Sequence, residues 1–320
     1  MKNLYLTLMT ILLAAGLSAQ NAMLSGPING NPLSGVTIYD VEFVESGSDL
    51  VLAVAAVNTG NIIAIDYNWS TATGVHDWST NNVPNILDEV STVSGVAASN
   101  LSVRDMIVNP KTEAVLLLML NTSSSTTFLV EVKSQSDISL VNLSGVDYCT
   151  MQYTSNNNYL FDMAWDYQSK LYYTTGDFSL DAEIGTISMP FVHGNSGNLQ
   201  ATTLFKSNWG GSYFTNAPLE MISVSDVEGT ERLMGVTTCA PGFSIPTSDI
   251  TSSGTLSVTE DFNVRNDYSL GVVTQTQSQG GLDKTYLYDL HINVTVPGPT
   301  QLIRIGEKYL DGSRAAASEI

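Results

Sequence analysis

Five acidic residues recur along this chain at near-equal spacing. Asp40, Asp105, Asp162, Glu220 and Asp267 stand 65, 57, 58 and 47 residues apart. The first four sit among apolar residues, in IYDVEF, VRDMIV, LFDMAW and PLEMIS, and the fifth opens the run DYSLGVV. Carboxylates gathered in one place repel one another unless a cation, basic side chains or backbone N–H groups neutralise them. A ring of such groups, completed by water, suits a hard cation such as Ca²⁺, which takes about six to eight oxygen ligands. The competing outcome is structural: each acid accepts N–H bonds from a neighbouring repeat, and Arg104 and Arg265 take up part of the charge. Two carboxylates with separated pKa values across one cleft would instead support hydrolysis, such as glycoside cleavage.

Aromatic residues are the second candidate group. Trp209 and Tyr213 lie in the glycine-rich stretch NWGGSY, and Trp165 ends the apolar run that holds Asp162. Exposed rings in such places stack on sugars or anchor a protein partner, and the same rings packed between sheets are structural. The segment Asp177-Phe178-Ser179-Leu180-Asp181-Ala182-Glu183 has acids at its first, fifth and seventh positions but lacks most of the EF-hand pattern. His76, His193 and His291 fall in no paired-ligand spacing, which argues against a histidine metal site. The sequence has no GxSxG elbow and no glycine-rich phosphate loop.

The elements that must position these residues are strands. Leu160–Trp165 and Lys170–Thr175 are two β runs joined by the polar turn Asp166-Tyr167-Gln168-Ser169, which is a hairpin signature. Similar hairpins open at Val36–Val44, Leu101–Asn109, Pro218–Val224 and, more weakly, at Asp267, each followed by further short strand signals. Gly74–Thr80 reads as a short fourth strand of the first unit, and no long window carries apolar residues at helical spacing. Repeats of about 45 to 60 residues holding four meandering strands have the pattern of propeller blades. The chain thus resembles secreted bacterial β-propellers in general, through an acid-apolar strand, a polar turn, an aromatic strand and a third strand. No Trp-Asp fingerprint ends the units. The resemblance implies an all-β fold, a single five-bladed propeller of four-stranded antiparallel meanders over residues 20–320. Six blades would follow if a unit is hidden after Gly254. It also implies that the acids face a central channel, and that residues 22–36 complete the last blade.

Composition agrees with a β-rich exported protein. Hydrophobic residues make up 43% and charged residues 13% of the 320 residues, with Ser, Thr, Asn and Gly supplying the polar side. The opening MKNLYLTLMTILLAAGLSAQ has the basic, apolar and small-residue regions of a secretory signal peptide, with cleavage expected near Ala19. A formal net charge of −19 repels nucleic acids and anionic membranes, and it is compatible with cations. Export would permit a disulfide between Cys149 and Cys239, although 90 residues separate them and two free thiols are the alternative. The functional expectation is a secreted or periplasmic monomer that binds a protein or carbohydrate ligand without catalysis, with Ca²⁺ at the five acids. The competing expectation is a calcium-dependent lactonase- or glycosidase-type hydrolase.

Overall fold

The computed structural model describes residues 21–68, 83–134, 136–153, 159–176, 182–206, 213–215, 219–227, 229–237, 240–250, 255–258, 264–279, 282–292, 302–309 and 314–315. Beyond residue 198 it gives mainly backbone, with side chains at 222–224, 229–234 and 245–250. The protein is mostly β, in antiparallel sheets. Two compact units divide the chain: residues up to Tyr173 with Gly185–Leu199, and Thr174–Ile184 with Gln200 onward. Residues 1–20, where a signal peptide is expected, and Gly74–Thr80 lie outside the described residues.

The first unit contains β1 (Leu24–Ser25), β2 (Ile28–Gly30), β3 (Ile38–Ser46), β4 (Asp49–Ala56), β5 (Asn61–Asp66) and helix α1 (Ile86–Ser94). There follow β6 (Leu101–Val108), β7 (Val115–Asn121), β8 (Thr126–Ser134), β9 (Asp137–Leu140), β10 (Val146–Gln152), β11 (Tyr159–Trp165) and β12 (Lys170–Gly176). Its first sheet runs β2-β10-β5-β4-β3 and its second β6-β7-β8-β9. The second sheet and α1 are therefore inserted in the chain between β5 and its ladder partner β10. Sequence reading identified neither β10 (VDYCTMQ) nor α1, whose nine residues are too short to give a sustained helical period.

Packing explains why β4, DLVLAVAA, shows no alternation of polar and apolar residues. Successive strand side chains point to opposite faces, and here both faces are buried. Leu50, Leu52, Val54 and Ala56 pack with Leu116, Leu118 and Leu129 of the second sheet. Val51, Ala53 and Ala55 pack instead with Leu160, Met163, Trp165, Leu171 and Tyr173 of β11 and β12. The first sheet is thus the middle of three layers, and each fully buried Leu or Val stabilises it by roughly 1.5–3 kcal/mol before cavity effects. Helix α1 covers the other face of the second sheet, where Val90 meets Leu117, Met119, Val130 and Val132.

Residues 22–36 do not complete a last blade. β2 adds to the first sheet by pairing with β10, and β1 pairs in parallel with β14 (Phe191–Val192), which follows β13 (Ala182–Ser188). Segments this short satisfy their backbone polar groups at whichever sheet edge is near, and composition cannot name that edge.

The second unit begins its own strands with β15 (Asn198–Lys206), which pairs antiparallel with β16 (Tyr213–Thr215) and parallel with β20 (Thr255–Val258). β17 (Leu219–Val227), β18 (Thr230–Thr237) and β19 (Ala240–Pro246) form a three-stranded meander. β21 (Val264–Gln279), β22 (Leu282–Ile292), β23 (Leu302–Tyr309) and β24 (Arg314–Ala315) form a four-stranded one.

Candidate functional site

The recurrent acids coincide with register faults. In β3 the ladder to β4 shifts between Ile38 and Val41, around Asp40, and in β6 the ladder to β7 shifts between Val103 and Asp105. β17 shifts between Leu219 and Met221, at Glu220, and β21 shifts between Val264 and Ser269, around Asp267. A bulge inserts an unpaired residue and re-aims the side chains beside it. Four of the five acids therefore stand where the first strand of a meander leaves the regular pleat. No sequence signal marked these bulges.

Three of the acids come together in the first unit. β3 lies beside both β6 and β11, so Asp40, Asp105 and Asp162 approach one another from three layers. Asp40 is 6% exposed and its carboxyl is pushed well above the usual carboxylate range. Burial is the main cause, followed by the charges of Asp162 and Asp105, a hydrogen bond with Asp105, and Glu42. Burial and the neighbouring acids thus favour the neutral form of Asp40. Oδ2 of Asp40 is buried with no donor reaching it, in keeping with a protonated carboxyl. Asp105 also accepts the Val41 N–H through Oδ2 at 3.3 Å and the Met106 N–H through Oδ1 at 2.7 Å. Asp162 accepts the Met163 N–H at 3.0 Å.

Glu42, two residues beyond Asp40, belongs to this group although sequence reading did not select it. Its carboxyl is pushed up to about 8 by burial and by Asp162 and Asp105, while a backbone N–H from Trp165 opposes the shift. The Arg104 guanidinium packs 4.0 Å from the centre of the Tyr39 ring rather than against these acids, and Tyr39 meets Phe161 edge-on. Among the described residues, no three acidic, histidine or cysteine side chains are arranged to hold a metal ion. Among the described residues, backbone N–H groups on Asp105 and Asp162 and the raised pKa of Asp40 are the neutralising features seen at these acids. Glu220 and Asp267 are placed by backbone alone, so their side chains fall outside the described residues, as does the segment 177–181.

The aromatic candidates separate in the same way. Trp165 is 2% exposed and packs among Leu160, Met163 and Leu171, so its ring is core rather than a ligand platform. Trp209 and the side chain of Tyr213 lie outside the described residues. The exposed ring near the acids is Tyr167, at 71%, in the turn between β11 and β12. Its backbone adopts φ 59°, which L-residues seldom do. Asp166 fixes that turn: Oδ1 accepts N–H bonds from Gln168, Ser169 and Lys170 at 2.8, 2.7 and 2.9 Å. The motif DYQS contained this information, because an Asp followed by a tight turn is a known N–H acceptor pattern.

A cleft of about 220 Å³ opens beside Tyr167, lined by Glu42, Phe43, Glu45, Ile107, Val108, Pro110 and Tyr167. It lies on the first unit alone. Lys111, next to Pro110, turns its ammonium to the Ser48 carbonyl, close to Asp49, Glu45 and Asp66. Cys149 is a buried free thiol whose Sγ sits 3.6 Å from the Ser25 carbonyl, and Cys239 lies outside the described residues. His193 is exposed and its Nδ1 accepts the Thr150 N–H at 3.2 Å. No protein-family model matches this chain and no curated protein is similar to it, so the functional argument rests on the residues themselves.

Proposed function

We propose that this is an exported protein that binds a ligand or partner without catalysing a reaction, at a site beside the first strands of its sheets. The observation that carries this reading is the cleft between β3, β6 and the β11–β12 turn. It combines an exposed, conformationally fixed tyrosine, apolar walls and two carboxylates. Concave, mostly apolar sites with a few polar groups are the usual form of ligand pockets. The finer architectural proposal is a β-propeller, five blades being favoured. Supporting it are the four-strand meanders, the face-to-face layers and the adjacency of β3, β6 and β11. A ring built this way has a permuted blade order, because the second sheet and the β11–β12 hairpin pack on opposite faces of the first.

A second reading, carboxylate hydrolysis of lactones or glycosides, is favoured by one observation. Glu42 lines the cleft with its pKa near 8, and a carboxyl that stays protonated near neutrality is a candidate general acid. One experiment separates the two. The protein, from Gln20 onward, is screened by thermal shift against amines, glycans and peptides, and in parallel against chromogenic esters, lactones and glycosides. Binding is expected to raise the melting temperature of the wild type but not of Val108→Lys, with no turnover. Turnover that Glu42→Gln abolishes would establish the enzyme instead.

A further inference from the structure

We propose that the cleft between β3, β6 and the β11–β12 turn takes an organic cation, an alkylammonium or guanidinium group on an apolar stem. This rests on the binding reading above and names its ligand class. The acidic residues in the lining are Glu42, which ionises around pH 8, and Glu45, which also feels the Lys111 ammonium. The remaining surface is Phe43, Ile107, Val108, Pro110 and Tyr167. Asp105 and Asp162 act electrostatically on Glu42, so the field at the inner wall is negative. An anionic ligand is repelled by this arrangement. A bare metal ion gains nothing from apolar walls, and a neutral sugar finds few donors among carboxylates. A cation on an apolar stem satisfies both surfaces at once.

Two features sharpen the fit. Tyr167 is 71% exposed yet held by the three hydrogen bonds to Asp166, so little ordering entropy is lost when a cation packs on its face. Val108 in the lining is 52% exposed, and Met106, two residues before it on β6, is 62% exposed. The same molecule already places a guanidinium over a tyrosine where β6 meets β3, at Arg104 and Tyr39. Glu42 faces Asp162 of β11, Asp105 of β6, Asp40 of its own strand and Tyr167 of the turn. With its pKa near 8, it ionises more readily when a cation arrives, and affinity therefore rises between pH 6 and 9.

The test uses the full chain from Gln20 onward, titrated with tetramethylammonium, with the peptide Gly-Lys-Gly, and with tert-butanol as the neutral isostere. Binding is read by tyrosine fluorescence and by calorimetry at pH 6 and 8.5. Saturable binding of a cation at pH 8.5 is expected, weaker at pH 6 and roughly tenfold weaker in Tyr167→Gly, given the usual size of a cation–π contact. Glycine tolerates the positive φ at that position, so this variant keeps the fold, and Glu45→Gln provides a second reduction. Tighter binding of the peptide assigns the cation to a polypeptide side chain, and tighter binding of tetramethylammonium assigns it to a free amine. The inference is overturned if neither cation saturates, if tert-butanol binds equally, or if both variants bind as the wild type does. The wider binding reading would then still be decided by the ligand panel.

Discussion

At the scale of single residues, the chemistry of this protein is set by how little water reaches a few carboxyls. Glu42 illustrates the sign of the effect. Its pKa rises from 4.5 to about 8 in the folded chain, so between those values the native state holds a proton that the unfolded state has lost. The associated stability is fully present below about pH 4.5 and is lost as the pH climbs through 8. Asp40, shifted in the same direction, adds to that trend. Each pH unit within this window weakens the first unit by on the order of 1 kcal/mol through Glu42. Urea melts at pH 5, 7 and 9 are expected to show falling stability, with a shallower fall in Glu42→Gln, which keeps the shape and removes the titration. Identical slopes for the two proteins would show that Glu42 is not the group responsible.

At the scale of elements, bulges and close contacts decide where side chains go. β3 and β6 each carry one extra residue against their partners, which turns Asp40 and Asp105 toward each other. The ring of Tyr173 occupies the space that a Cβ on Gly185 or Gly197 would need, and its hydroxyl donates to the Tyr153 carbonyl at 3.0 Å. Tyr173 is fully buried, so the ring has nowhere to move. Gly185→Ala is therefore expected to destabilise the first unit by about 1–3 kcal/mol, the usual cost of overpacking. The denaturation midpoint would fall with an unchanged m-value. A loss below about 0.5 kcal/mol, the range of ordinary surface substitutions, would contradict this packing.

At the scale of the whole molecule, the question is what neutralises so acidic a chain. Asp105 accepts the Val41 and Met106 N–H groups and burial favours a neutral Asp40, which together give the first unit a way to hold these acids without a cation. The melting temperature in EDTA and then in excess Ca²⁺ is expected to stay within about 1 °C, since only a ligand that prefers the folded state shifts it. A rise of several degrees that disappears in Asp105→Asn would put a cation at the acids after all.

Most of the hairpins were legible in the sequence, although β10 was not. Hairpins at Leu160–Thr175 and the unbroken apolar run of β4 are local facts, carried by side-chain type and by turn residues such as those of DYQS. The sequence also picked out Asp40, Asp105 and Asp162, because an acid inside an apolar strand is costly and needs a reason. Only the tertiary structure decided that these three meet, that Trp165 is core, that Glu42 and Tyr167 share a cleft, and that β10 closes the first sheet across an inserted one. Those outcomes depend on which faces pack and on one-residue register shifts, and both are settled by contacts between residues far apart in the chain.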